Sequence, residues 1–451
     1  MTDFRTIADR IAAEIASGTL KPGDRLPPQR TFAYRHGIAV STASRVYSEL
    51  VRRGLVTGEV GRGTFVSGQA PAPVRNLIEP VYEAPHDRID LELNYSVLPE
   101  IPEMVAPIMK SLSDPRMLAE VLQPNAMRGG PEIRRHAAAV VAAGGWQPDP
   151  DRIALAGMGR QAIAAAVSTV AAPGDRIGIE RMTYPVAKVK LARLGIRAVP
   201  LAMDEHGVTP QAIEEAASHG RLSGIYLQPT LHNPLGITMP GARRAEIAGA
   251  LRKHDIIAIE DRVYAFLHDS APPPLAAFAP DHTIVVDSLS KRVATGLTLG
   301  FVVTPAGRLR QAASVALQSG GWRPQTYALL AAGRIMAEGL VETLVARRRE
   351  DAAARQALVR NRLAGVTLRG DPRSYHLWLE LPDGWRADTF VAAAWRRGVA
   401  VMPAASFAAG PGHAPNAVRL ALASPPMARL AAAAEILAGL ARGHPDETIV
   451  E

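Results

Sequence analysis

Cysteine is absent from the 451 residues. That excludes disulfide staples and thiolate nucleophiles, and it makes a reducing compartment the expected home. No run of about 18 consecutive apolar residues occurs, so no membrane-spanning helix is expected. The opening stretch "MTDFRTIADR" lacks the apolar core of a secretory signal, which points to the cytoplasm. No internal repeat stands out, and no metal is called for. What is present is an ordinary globular mixture, 47% hydrophobic and 21% charged, with length enough for two or three domains. The formal net charge of +8 fits an anionic partner, and it is unevenly spread. Residues 1–68 hold ten Lys or Arg against six Asp or Glu, so half the excess lies in about a seventh of the chain.

That basic segment reads as a small module. Phe4, Ile7, Ile11 and Ile15 recur at spacings of three and four, the pattern of an amphipathic helix that Gly18 can stop. "LKPGDRLPPQR" is a Pro/Gly connector, and a short helical run begins near Pro28 and breaks at Gly37. "VSTASRVYSELVRRG" reads as the next helix, with Ser41 as a candidate cap, Val46, Leu50 and Val51 as its apolar side, and Gly54 as its stop. "LVTGEVGRGTFV" predicts two short strands in a hairpin with Arg62 near the tip. This is the element order of a winged helix-turn-helix. "GDRLPPQRTFAYRHGI", "SRVYSELVRRGLV" and "GRGTFV" resemble the winged helix-turn-helix of GntR-type transcription regulators over residues 1–67. The resemblance implies that Arg30, Ser41, Thr42 and Arg45 face a DNA operator, with Arg62 and Gly63 in the wing. Arginine suits a guanine edge or a phosphate, and small hydroxyl residues at a helix start reach phosphates. One position departs from the pattern: relatives often carry Arg before the hydroxyl pair, and here Val40 stands there, which bears on the operator sequence.

Residues 69–88 are Pro-rich with little periodicity and read as a linker between a head at 1–68 and a body at 89–445. In the body, apolar runs such as "DRIALA", "DRIGIE", "GIYLQP", "IIAIED", "TIVVDS" and "GFVV" alternate with Ala-rich helical stretches. Near-continuous apolar strands alternating with helices predict an α/β body with a mostly parallel sheet covered on both faces. Such sheets bind ligands at the carboxyl ends of their strands, so the polar residues closing these runs are the candidates for chemistry.

Four of those ends carry specific groups. Tyr184 follows "IGIERM", Asn233 sits in "PTLHNPLG", Asp261 and Tyr264 close "IIAIED" and open the next stretch, and Ser288, Ser290 and Lys291 close "TIVVDSLSK". Their order and spacing resemble fold-type I pyridoxal-phosphate enzymes of the aminotransferase class over roughly residues 89–440, with a small C-terminal α+β subdomain. Joined to a GntR-like head, this is the layout of MocR-type regulators. The resemblance implies pyridoxal 5'-phosphate as cofactor and Lys291 as the residue whose amine condenses with its aldehyde. It implies Asp261 at the pyridine nitrogen, which a carboxylate keeps protonated, Tyr264 and Asn233 as donors to the phenolic oxygen, and Tyr184 against the ring face.

For the phosphate, "AGMGRQAIAAA" opens a helix, so Gly159 and Arg160 are candidate backbone donors, with hydroxyls from Ser288 and Ser290. The pattern departs at Thr298, where relatives usually place an arginine; Arg292 or Arg160 are the candidate replacements. Such a charge-assisted contact is worth about 1.5–3 kcal/mol. For an effector, Arg419 in "NAVRLALAS" matches the carboxylate-binding arginine of the family, and Asn94 matches a polar residue lining the site.

The layout implies a transcription regulator that senses an amino compound by aldimine formation at Lys291 and works as a homodimer, described in the family as head-to-tail. The competing expectations are an active aminotransferase with an appended head, and a body that serves only as a metabolite binder or dimerisation scaffold.

Overall fold

The computed structural model describes residues 4–16, 19–21, 23–52, 55–59, 63–66, 88–95, 98–122, 130–410 and 414–443. They fall into two compact units, one of Met1–Val81 with Ala408–Pro415 and one of Tyr82–Phe407 with Asn416–Glu451. Among the described residues no helix is long and apolar enough to cross a membrane.

In the first unit, helices Phe4–Ala16, Gln29–His36 and Val40–Arg52 precede the antiparallel pair Val56–Glu59 and Gly63–Val66, to which the short strand Arg25–Leu26 adds a third member. Of the predicted apolar positions Ile7, Ile11, Val46 and Leu50 are buried and Phe4 and Ile15 pack partly buried against them, joined by Leu26, Phe32 and Tyr47. Phe32 and Tyr47 meet edge to face at 5.2 Å. Gly37 ends the second helix in the left-handed region at φ 61°, where a Cβ is unfavourable. Two expectations shift. The third helix begins at Val40, so Ser41 lies in its first turn rather than before it. Val51 is 49% exposed, because it follows the inward-facing Leu50 by one residue, about 100° around the helix. Gly18, Gly54, Arg62 and, apart from Arg88, the linker lie outside the described residues.

The second unit is built on a seven-stranded sheet. In spatial order its strands are Ile153–Ala156, Gly300–Val303, Thr283–Ser288, Ile257–Asp261, Gly224–Leu227, Arg176–Glu180 and Arg197–Leu201. All neighbours pair in parallel except at Gly300–Val303, which runs against both of its partners. Every residue of Gly224–Leu227, Thr283–Ser288 and Gly300–Val303 is buried, which is why these runs are apolar throughout rather than alternating. On one face Ile225, Leu227 and Ala258 pack with Ile213, Ile247 and Leu251 of helices Pro210–Ser218 and Gly241–His254. The Ala-rich helix Gly159–Val170 lies against strands 257–261, 283–288 and 300–303, its small side chains allowing close approach.

A second sheet of five strands, Leu368–Arg369, His376–Glu380, Ala417–Ala421, Val399–Pro403 and Ile89–Leu91, forms the smaller α+β part. It is not wholly C-terminal: Ile89–Leu91 pairs in parallel with Val399–Pro403 at its edge. Leu377, Leu379 and Leu420 pack there with Phe390 and Leu437 of helices Ala387–Arg396 and Met427–Arg442.

One buried charge pair fixes the loop that carries Asn233. Arg244, with no exposed side-chain area, lies 3.6 Å from the equally buried Glu260. It also donates to the carbonyls of Pro229, Met239 and Pro273 and to the Thr230 hydroxyl, tying both ends of the 229–240 loop to one guanidinium. Desolvation pulls the Arg244 pKa down to about 10. Arg244→Met removes one partner and strands the other, so unfolding of the body in urea should show a loss of about 3–5 kcal/mol. A loss under about 1 kcal/mol contradicts this role.

Candidate functional site

Strand alternation brings the first cluster together. Tyr226 and Gln228 lie two apart on one strand and its continuation, so both point to the same side, toward Asp261 at the end of the neighbouring strand. The Tyr226 hydroxyl donates to Asp261 Oδ2 at 2.6 Å and Gln228 Nε2 donates to the same oxygen at 2.9 Å, while Oδ1 accepts from the Val263 N–H at 3.0 Å. Despite these donors, burial pushes the Asp261 carboxyl up to about 6, with Asp287 adding a like charge. Gln228 Oε1 in turn accepts the Asn233 N–H at 3.3 Å, which connects the carboxylate to the loop of Asn233.

Lys291 follows the end of strand Thr283–Ser288 and is half-buried. Its Nζ donates to the Asn94 carbonyl at 2.6 Å and lies 4.0 Å from the Tyr95 ring centre and 6.0 Å from that of Tyr264. Desolvation, and then the charges of Arg160, Arg419 and Arg348, pull its pKa down to about 7. Tyr264 is buried and its hydroxyl is held far above the usual range by desolvation. Tyr184 is pushed up to about 12 by burial and feels Arg160, Tyr95 and Asp261.

The third cluster lies at the start of helix Gly159–Val170. A Cβ at Gly159 would sit 2.9 Å from Ser288 Oγ, so only glycine lets this turn approach the strand end. Ser288 and Ser290 share a hydrogen bond of 2.6 Å between their hydroxyls. Thr298 is buried and its hydroxyl turns to the Leu299 carbonyl. Of the two arginines considered as its replacement, Arg292 is already engaged: it is buried, pairs with Asp287 and lies over the Phe266 ring. Arg160 is the one whose charge reaches both Lys291 and Tyr184.

On the side of the five-stranded sheet, Arg419 is buried, donates to the Glu92 carbonyl and lies over the Phe407 ring at 5.1 Å. Asn94 is buried and makes three contacts: its carbonyl to Lys291, its Oδ1 from the Ala423 N–H at 3.3 Å, and its Nδ2 to His376 Nδ1 at 2.5 Å. The structure thus gathers Lys291, Asp261, Tyr264, Asn233, Tyr184, Ser288, Ser290, Gly159, Arg160, Arg419 and Asn94 around the strand ends. Sequence reasoning missed Tyr95, Tyr226, Gln228 and His376. For Tyr226 and Gln228 the signal was present, as two polar groups at period two in an otherwise apolar strand; for His376 in "SYHLWLE" it was the same.

In the first unit, Arg30, Ser41 and Arg45 are exposed, and Thr42 and Gly63 are half-buried. Ser41, Thr42 and Arg45 share the start of one helix, with Val40 beside them 49% exposed. Arg62 is outside the described residues.

An amine at about 7 is largely unprotonated just above neutrality, whereas an ordinary lysine stays charged to about 10. Reductive methylation of the cofactor-free protein with formaldehyde, followed by peptide mass spectrometry, should therefore show Lys291 reactivity rising through pH 7 and levelling off by about pH 8.5. Reactivity that keeps climbing to about pH 10 contradicts the depressed amine.

Residues 4–66 match the model of bacterial regulatory proteins of the gntR family, and residues 115–437 match that of class I and II aminotransferases. The uncharacterized HTH-type transcriptional regulator YdeF of Bacillus subtilis is 31% identical, over 94% of this chain and 90% of its own. The HTH-type pyridoxine biosynthesis transcriptional regulator PdxR of Corynebacterium glutamicum is 25% identical, over 68% and 67%. The vitamin B6 salvage pathway transcriptional repressor PtsJ of Salmonella typhimurium is 26% identical, over 67% and 69%. Among solved structures, the α-aminoadipate aminotransferase LysN of Thermus thermophilus superposes with a TM-score of 0.70 at 21% identity, over 79% of this chain and 93% of that one, which shows the fold of the body. The chain belongs to the MocR-type subfamily of GntR transcriptional regulators, a winged helix-turn-helix head fused to a fold-type I aminotransferase body.

Proposed function

We propose that this regulator holds pyridoxal 5'-phosphate in its body, senses an amino compound there, and passes the result to a DNA operator bound by its head. The observation that carries the reading is that two adjacent parallel strands end in this way: one in a buried carboxylate raised to about 6, the other in a turn that bears a lysine amine depressed to about 7 beside the Tyr264 ring.

The residues fit the group. Asp261 has three donors and still resists ionisation, so a protonated ring nitrogen beside it is the cationic partner its site favours. Asn233 is buried and its backbone N–H is tied to Gln228 Oε1; its amide Nδ2 would donate to the ring's oxygen substituent, together with the Tyr264 hydroxyl. Gly159, Arg160, Ser288 and Ser290 would hold the phosphate at the positive end of a twelve-residue helix. Tyr184 would lie against the ring. When bound, the cofactor supplies an aldehyde for amine capture and an electron-withdrawing ring. Lys291 contributes a free electron pair at neutral pH, Arg419 offers a planar fork to a carboxylate, and the Tyr95 and Tyr264 rings shield the amine from water.

In the head, Arg30, Ser41, Thr42 and Arg45, with Arg62 and Gly63 of the wing, would contact DNA. A homodimer arranged head-to-tail in the cytoplasm would present two heads to two half-sites. The names of the Corynebacterium and Salmonella relatives, both tied to vitamin B6, support the cofactor. The head favours a regulator over a free-standing aminotransferase, because turnover needs no DNA-binding module.

With pyridoxal 5'-phosphate added, the purified protein should develop a visible absorbance band that Lys291→Ala abolishes; a band that survives the substitution contradicts the assignment of Lys291. Arg45→Ala should weaken operator binding about tenfold or more, reduce its salt dependence, and leave the band intact. Loss of both properties together contradicts the division of labour between head and body. Steady turnover of an amino donor and a keto acid with no effect on DNA binding favours the enzyme reading instead.

A further inference from the structure

His376 is fully buried on strand His376–Glu380 of the smaller sheet, next to the central strand Ala417–Ala421. In the antiparallel register Trp378 stands opposite Arg419 and His376 opposite Ala421. Opposed residues and residues two apart share a face, so His376 lies on the same face as Arg419, one pleat away. Its ring meets the Tyr264 ring edge to face at 4.4 Å.

Its proton can be located from its neighbours. The Ala423 N–H donates to Asn94 Oδ1, so the other end of that amide, Nδ2, is the donor toward His376 Nδ1. Nδ1 is therefore the unprotonated nitrogen. Burial, and then the charges of Arg419, Lys291 and His232, hold the imidazolium form well below the usual range, so the ring is neutral. In a neutral imidazole with Nδ1 accepting, Nε2 carries the hydrogen. That N–H is buried and has no hydrogen-bond partner among the described residues. A buried donor without an acceptor is uncommon in folded proteins, and here it stands among further donors: the Arg419 guanidinium and the Lys291 amine. A carboxylate placed beside Nε2–H would accept that hydrogen bond and feel the positive charge of Arg419, which already reaches the ring.

We propose that His376 is a specificity-determining residue whose Nε2–H donates to a carboxylate of the effector, beside Arg419, so that the compound sensed is an amino acid and not a simple amine. The assignment rests on the reading of Lys291 as the cofactor-bearing residue. Asn94 joins the two functions, because its carbonyl takes the Lys291 amine while its amide fixes the tautomer of His376.

Two substitutions separate ligand contact from a purely structural role. In His376→Asn the shorter amide can still accept from Asn94 at the position of Nδ1, but it has nothing at the position of Nε2. In His376→Gln the amide nitrogen reaches the position of Nε2 and keeps a donor there. The experiment titrates protein reconstituted with pyridoxal 5'-phosphate, following its visible band. The probes are the twenty proteinogenic amino acids and, for each that responds, the amine lacking its carboxylate. With all three proteins holding the band, His376→Asn should weaken the responding amino acids about ten- to a hundredfold, the size of a lost charge-assisted contact. The matching amines should change less than about twofold, and His376→Gln should recover most of the loss. Equal weakening of acid and amine, or tolerance of Asn with failure of Gln, marks a structural tie to Asn94 and overturns the proposal. So does a wild-type band that no amino acid shifts. Absence of the band in the wild type overturns the cofactor reading and this assignment with it.

Discussion

A lysine amine largely withdrawn from water and surrounded by guanidinium charges is the constraint on which the rest of the site depends. Water no longer stabilises the ammonium form well, and Arg160, Arg419 and Arg348 oppose it, so Lys291 titrates near neutrality. A surface lysine would remain charged and could not act as a nucleophile. The parallel sheet makes this arrangement possible, because its parallel strands end on the same edge while their apolar bodies are sealed by helices. Asp261 shows the complementary effect: the same burial that frees the lysine of its proton encourages the carboxylate to keep one.

Behind these groups lies a set of buried ionic contacts that serves positioning more than stability. Asp287 pairs with Arg292 directly after Lys291, and Arg348 of the long helix Leu340–Arg362 donates to the carbonyls of Arg292 and Val293. The turn that presents the amine is therefore held from two sides. Glu180, buried 3.2 Å from His232, also accepts the Gln228 N–H, and Gln228 reaches Asp261. Geometry set by such contacts is fixed before any ligand arrives, which is the condition for selective recognition at a small site.

Much of this was legible in the sequence. The strands ending at Glu180, Asp261 and Ser288 were readable because a strand buried on both faces is apolar throughout, and the polar residue that ends it stands out. Lys291, Asp261, Tyr264 and Asn233 were readable for that reason and for their order. Contacts that depend on the register of distant strands were not: His376 and Asn94 are 282 residues apart in the chain yet share a hydrogen bond. That Asp287 captures Arg292, one of the two candidates for the arginine missing at Thr298, was equally unreadable, since it depends on how the turn after the strand folds. In the head, the helical periodicity of Ile7, Ile11, Val46 and Leu50 located the core, while Val51 was misjudged because one residue along a helix changes the face.

In the function proposed here, the amine at position 291 captures the cofactor aldehyde. Incubation of the protein with pyridoxal 5'-phosphate, borohydride reduction and peptide mapping test it directly. The expected result is a single phosphopyridoxyl label on the peptide containing Lys291. Label found on another lysine, or spread over surface lysines with Lys291 unmodified, is the result that rules this out.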